Sequence, residues 1–122
     1  MIQYLLAAVI FVILDGLYLN LIKNYFNKQI RSIQGTNIEI NFMAVAITYI
    51  LLIFGLNYFI IKKHKSVSDA SLLGLVIYGV YELTNYSLLK NWSIITVIMD
   101  TTWGTLLFGL TTFMVYKIMS VL

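Results

Sequence analysis

Three acidic residues, Asp15, Glu82 and Asp100, each interrupt a different membrane-length apolar run, and no lysine or arginine lies deep in those runs to neutralise them. A charged side chain at the bilayer centre costs about 3 kcal/mol even on insertion scales. The three acids are therefore expected to share protons, hydrogen bonds, a cation or a bound ligand. In a dry bundle, repulsion and desolvation together favour at least one acid keeping its proton. Two carboxyls held close together can also divide into a proton donor and an ionised base, the arrangement that acid–base chemistry uses. No nucleophile, phosphate-binding glycine loop or metal-ligand spacing accompanies them, so no catalytic residue is assigned and neither a metal nor another cofactor is expected.

Helical rise places the three at one depth. Asp15 lies seven residues before the end of an apolar run at Ile22, Glu82 seven before one at Leu89, and Asp100 seven after the start of one at Ser93. At 1.5 Å per residue all three fall roughly 10 Å below the same membrane face, here face B. Their neighbours repeat at helical spacing. Tyr78, Tyr81, Glu82 and Asn85 form one stripe, Asp15 pairs with Tyr18, and Asp100 stacks with Trp103 and Gly104. Thr48 and Tyr49 reach about the same depth from another run. The expected centre is Asp15, Tyr18, Tyr78, Tyr81, Glu82, Asn85, Asp100 and Trp103, opening towards face B and binding a ligand or a proton.

The elements that must position these residues follow from composition. The chain is 61% hydrophobic and only 11% charged, with a mean hydropathy of +0.90; soluble proteins average roughly 25% charged residues. This is the composition of an integral membrane protein, and nothing in it suits nucleic acid. Its 122 residues allow a single all-α domain of four spans, about Ile2–Ile22, Phe42–Ile61, Ser68–Leu89 and Ser93–Lys117. The first run lacks a basic leader and a small-residue cleavage site, so it is expected to be retained as a span. Between spans one and two, Tyr25, Phe26, Ile30 and Ile33 recur at helical spacing among Lys23, Lys28 and Arg31. That pattern predicts a short amphipathic helix in the interface, ending near Gly35.

Lys62, Lys63, His64 and Lys65 stop the second span, and Ser66 with Asp69 has capping-box spacing for the third. Ala70 and Gly74 are spaced for close helix approach. Basic residues are tied between the two faces. Only the compact Lys62–Lys65 cluster favours the face holding both termini, face A, as cytoplasmic. Its lysines and His64 read as a solvated surface facing lipid headgroups. Membrane lipids are thus the expected partners. Four short helices enclose little interior, which leaves room for a homo-oligomer, although no pattern specifies an interface.

The segment YELTNYSLLKNW, Tyr81 to Trp92, followed by DTTWG, Asp100 to Gly104, and preceded by LDGLYL, Leu14 to Leu19, resembles the DUF2177 family of small four-span predicted membrane proteins. In that family the pattern is close to YDLTN, then a lysine–tryptophan turn, then an aspartate ahead of WG. Position 82 is glutamate here where the family favours aspartate, and Tyr18 stands where a tryptophan is usual. The resemblance implies the four-span architecture and no defined activity. Three functional readings stay open: binding or conduction of a proton, a small cation or a cationic lipid headgroup; a membrane-lipid-modifying enzyme or accessory subunit; and a scaffold without turnover.

Overall fold

A computed structural model describes all residues, 1–122. The chain is all-helical: α1 spans Ile2–Gln34, α2 Phe42–Leu56, α3 Val67–Leu88 and α4 Ile94–Ser120. A π turn over Asn57–Ile61 continues α2, so the second apolar run ends at Ile61 as expected.

Helix ends follow local chemistry. The Asn41 side chain accepts from the Ala44 N–H at 3.1 Å, Ser66 from Asp69 N–H at 3.0 Å and Ser93 from Ile95 N–H at 3.1 Å, each satisfying a donor that the first turn leaves free. Gly35 ends α1 in the left-handed region (φ 82°), its N–H bonded to the Arg31 carbonyl, a geometry glycine adopts without steric cost. Asn91, at φ 70°, makes the tight turn between α3 and α4, and asparagine is among the few side chains that tolerate it.

The amphipathic stretch after Ile22 is helical and ends at Gly35, but it is continuous with the first span. No proline interrupts Ile2–Gln34 and its one glycine, Gly16, lies mid-span, so nothing breaks the ladder at Lys23. At 33 residues α1 is about 50 Å long, well beyond the ~30 Å hydrocarbon core. Its last three turns fold over the α3–α4 turn. The Gln29 side-chain carbonyl accepts from Ser93 N–H and from the Thr96 hydroxyl, both at 2.8 Å, and Asn91 donates to the Ser32 carbonyl at 3.2 Å. Gln29 is 7% exposed. Gln29→Leu would strand the Ser93 N–H at about 1–3 kcal/mol for a buried unmade bond, while the Thr96 hydroxyl keeps the Tyr25 hydroxyl as a partner at 3.0 Å. Hydrogen exchange at Ser93 and along Lys23–Gln34 is expected to accelerate in that variant; unchanged protection would show that the tie is dispensable.

Three helices, α1, α2 with its π turn, and α4, are long and apolar enough to cross a membrane. The 22 residues of α3 also reach about 33 Å, but tyrosines, Glu82 and Asn85 make it more polar. α3 and α4 pack along their length, α1 lies on α4, and α2 leans on α1 at the outside. The apolar core fills the face-A half: Ala7, Phe11, Leu56, Ile61, Leu107, Phe108 and Val115 are fully buried. Phe11 meets Phe108 edge-on at 5.4 Å. The face-B half is built differently.

Candidate functional site

α3 and α4 approach closely where Gly74 faces the Gly104 backbone. A glycine on each side lets main chain meet main chain, and the Tyr78 ring lies against the Cα of Gly104. The same approach presents Glu82 of α3 to Asp100 of α4, whose carboxyls interact directly. α1 crosses α4 beside them, so that Asp15 and Tyr18, three residues apart on one face, meet Asp100 and Trp103, spaced likewise.

Each carboxyl is met by an aromatic donor. Asp15 accepts on both oxygens, from the Trp103 indole N–H at 2.9 Å and from the Tyr49 hydroxyl. The Tyr18 hydroxyl donates to Asp100. Trp92, in the α3–α4 turn, folds back and donates its indole N–H to Glu82 at 3.0 Å. Tyr18 and Trp103 stack at 4.7 Å and 7°, so the two donors that α1 and α4 exchange brace one another. The second oxygens of Glu82 and Asp100 accept from no donor outside the pair.

These groups surround a cavity of about 170 Å³ lined by Asp15, Tyr18, Tyr78, Tyr81, Glu82, Asp100 and Trp103, with Leu19, Ile22 and Phe26. No basic side chain lines it. Seven of the eight residues expected from the sequence therefore border one space. Asn85 does not. Three residues beyond Glu82, it sits about 60° round the helix, half-buried, and its backbone carbonyl accepts from Leu89 N–H in the closing turn of α3. Tyr81 lies at the rim, 56% exposed. The way towards face B, expected to be open, runs past Ile22 and Phe26 of the continued α1, with Phe26 edge-on to Trp92 at 6.0 Å.

Glu82 is 1% exposed and Asp15 7%. No three acidic or imidazole side chains come close enough to hold one metal ion. The acids are arranged as a facing pair, Glu82 and Asp100, with Asp15 held to one side by its own two donors. Sequence reasoning misses two of the donors. Trp92, with Lys90 and Asn91, reads as part of a tight interfacial turn, and the only signal for its inward fold is its place in the YELTNYSLLKNW motif. Tyr49 has the right depth, but nothing in the α2 sequence shows that it faces α1. Thr48, at the same depth, donates instead to the Ala44 carbonyl of its own helix at 2.8 Å.

A second space, a cleft of about 480 Å³, adjoins the first between α1, α2 and α3 and shares Asp15, Tyr49, Tyr78 and Tyr81 with the site or its donors. It exists because α2 leans on α1 and scarcely meets α3. Glu39 of the α1–α2 connection lies at its edge.

No curated protein and no solved structure matches the chain. The model of a family described as "Predicted membrane protein (DUF2177)" matches residues 1–117. With the match running through every helix, this multi-pass membrane protein belongs to the DUF2177 family.

Proposed function

We propose that the chain crosses the membrane four times and that its carboxyl cavity holds one positive charge, which is a proton, a small monovalent cation or the ammonium of a lipid headgroup. The observation that carries this reading is the facing pair Glu82 and Asp100, each with an oxygen that no donor outside the pair serves, in a cavity that no basic residue lines. A buried acid, Glu82, facing a half-buried one, Asp100, without a base needs a positive partner. Asp15 has two donors of its own and acts as the neighbouring fixed acceptor that orients Trp103 and Tyr49. The cleft between α2 and α3 supports a lateral route for a headgroup, since it reaches Asp15 from the side of the lipid.

Asp15→Asn, Glu82→Gln and Asp100→Asn are each expected to abolish proton or monovalent-cation uptake into proteoliposomes while the protein still assembles. Wild-type uptake in all three would remove the reading. Infrared spectra separate the occupants. A shared proton gives a protonated-carboxyl band that weakens in Asp100→Asn, whereas no such band leaves ionised acids and a cation or headgroup between them.

A second reading, a helix lock without turnover, is favoured by the donors themselves, because Asp15 joins α1 to α2 and α4 and Asp100 joins α4 to α1. Here the outcome reverses. The amide variants would lose assembly, each contact contributing about 0.6 to 2 kcal/mol, and no uptake would be present in the wild type.

A further inference from the structure

A groove of about 710 Å³ runs between α1 and α2, from the face-A end of α2 towards mid-membrane. Its walls are Ala8 of α1 and Ile50, Ile53 and Phe54 of α2; Lys62 stands at its mouth and Tyr49 at its far end. We propose that this groove seats one acyl chain of an anionic phospholipid whose phosphate is held by Lys62 and Lys63.

The dimensions match that occupant. From Lys62 to Tyr49 is thirteen residues, about 20 Å of helix, against the ~15 Å that half of a ~30 Å hydrocarbon core provides. A chain entering at the headgroup level is therefore covered to its end within one leaflet. The groove volume lies in the range of ordinary ligand sites, ~300–1,000 Å³, and apart from Asn57, Lys62 and the tyrosines its walls are apolar.

Charge decides the headgroup. Lys62 and Lys63 both hold their ammonium groups over the Tyr58 ring, at 5.0 and 5.1 Å, so two positive charges gather at the mouth. No acid occurs between Asn57 and Lys65. The π turn contributes to this placement. Its i to i+5 bond from Lys62 N–H to the Asn57 carbonyl, 2.8 Å, admits an extra residue into the helix. Ile60 and Ile61 are both buried as a result, and Tyr58, Lys62 and Asn57 are left along the groove. The buried side-chain carbonyl of Asn57, which borders the groove, has no protein donor.

A second copy of the chain is the competing occupant. A two-fold axis along the membrane normal at this groove would bring both Lys62–Lys65 clusters together at one level, which like charges oppose. Lipid phosphate has the complementary sign.

The test is native mass spectrometry of the full-length protein released from detergent and titrated with phosphatidylglycerol or phosphatidylcholine of identical chains. One phosphatidylglycerol is expected to be retained in preference to phosphatidylcholine. Lys62→Gln with Lys63→Gln should weaken phosphatidylglycerol roughly thirtyfold, as two interfacial lysines imply, and weaken phosphatidylcholine much less, because its choline cation offsets the attraction of the lysines for its phosphate. Ala8→Phe should weaken both by filling the groove. Equal retention of the two lipids, indifference to the lysine pair, or a lipid-free dimer would each overturn the proposal. The lysine variant lies on an exposed turn outside the core, so it reads binding even where Ala8→Phe disturbs packing.

Discussion

Gly74→Ala is expected to be among the most damaging single-methyl changes in the molecule, because it sets a side chain against main chain. A Cβ there would lie within 2.9 Å of the Gly104 carbonyl carbon and 3.0 Å of the Phe108 Cβ, and closer still to the Gly104 oxygen. The obstacle is main chain in a packed helix, which has no rotamer to yield, so α3 and α4 must move apart. Overpacking costs about 1–3 kcal/mol where side chains can adjust, and a backbone obstacle places this variant at the upper end. At tenfold per ~1.4 kcal/mol, the folded fraction relative to unfolded should fall by roughly two orders of magnitude. Gly79→Ala on the same helix is the control, because its nearest neighbour, the Thr101 methyl, would be 3.7 Å away, ordinary contact. Unfolding in mixed micelles can be followed by the fluorescence of Trp92 and Trp103, the two tryptophans. Equal midpoints for Gly74→Ala and Gly79→Ala would mean that the two helices can part at little cost. Because the same contact sets Glu82 against Asp100, cation or proton uptake should fall with it.

Trp103→Phe should give a large effect confined to one hydrogen bond of the polar centre. Phenylalanine keeps a ring for Tyr18 to stack on, yet it removes the N–H that meets Asp15 at 2.9 Å. Hydrogen bonds to charged groups contribute about 1.5–3 kcal/mol, whereas interhelical bonds between neutral groups in membranes average about 0.6. A double-mutant cycle of Trp103→Phe with Asp15→Asn measures the pair directly. The expected coupling is about 2 kcal/mol, within the range for a charged acceptor, here one that Tyr49 holds on its other oxygen. A coupling near ~0.6 kcal/mol would instead identify an ordinary packing bond and remove Asp15 from the proposed charge arrangement. Trp103→Leu should cost more than Trp103→Phe, since the Tyr18 stack, about 0.5–1.5 kcal/mol for an aromatic pair, disappears and frees Tyr18 from Asp100.

Depth along the membrane normal is legible in the sequence, because it depends only on a residue's distance from the end of its helix. Asp15, Glu82 and Asp100 each stand seven residues from the end of an apolar run, at Ile22, Leu89 and Ser93, and they border one cavity together although α1 itself continues to Gln34. Three helix starts and one stop are legible for a similar reason. Asn41, Ser66 and Ser93 cap through their own side chains, and Gly35 supplies a left-handed residue, all local chemistry that neighbours do not alter.

Rotation about the helix axis is not legible in a chain whose helices are apolar on nearly every side, since lipid and protein interior demand similar side chains. That is why Tyr49 and Thr48, adjacent in sequence and equal in depth, have different fates: one donates to Asp15, the other to its own backbone. It is also why Asn85 lies outside the cavity while Tyr78 lines it. The inward fold of Trp92 and the seating of Gln29 on Ser93 and Thr96 depend on α1 continuing past the membrane face to roof the α3–α4 turn. A continuous helix is locally permitted there, as is a break at Lys23; contacts from residues far along the chain, Ser93 and Thr96, favour the former. By itself, then, the sequence determined the membrane class, the capped helix starts, the glycine stop at Gly35 and the common distance of the three acids from the ends of their apolar runs, because each is a one-dimensional property of composition, capping or spacing. Only tertiary packing decided which faces meet, pairing Glu82 with Asp100, giving Asp15 its two donors and leaving α2 apart from α3, because azimuth is set where glycine-lined surfaces let helices close.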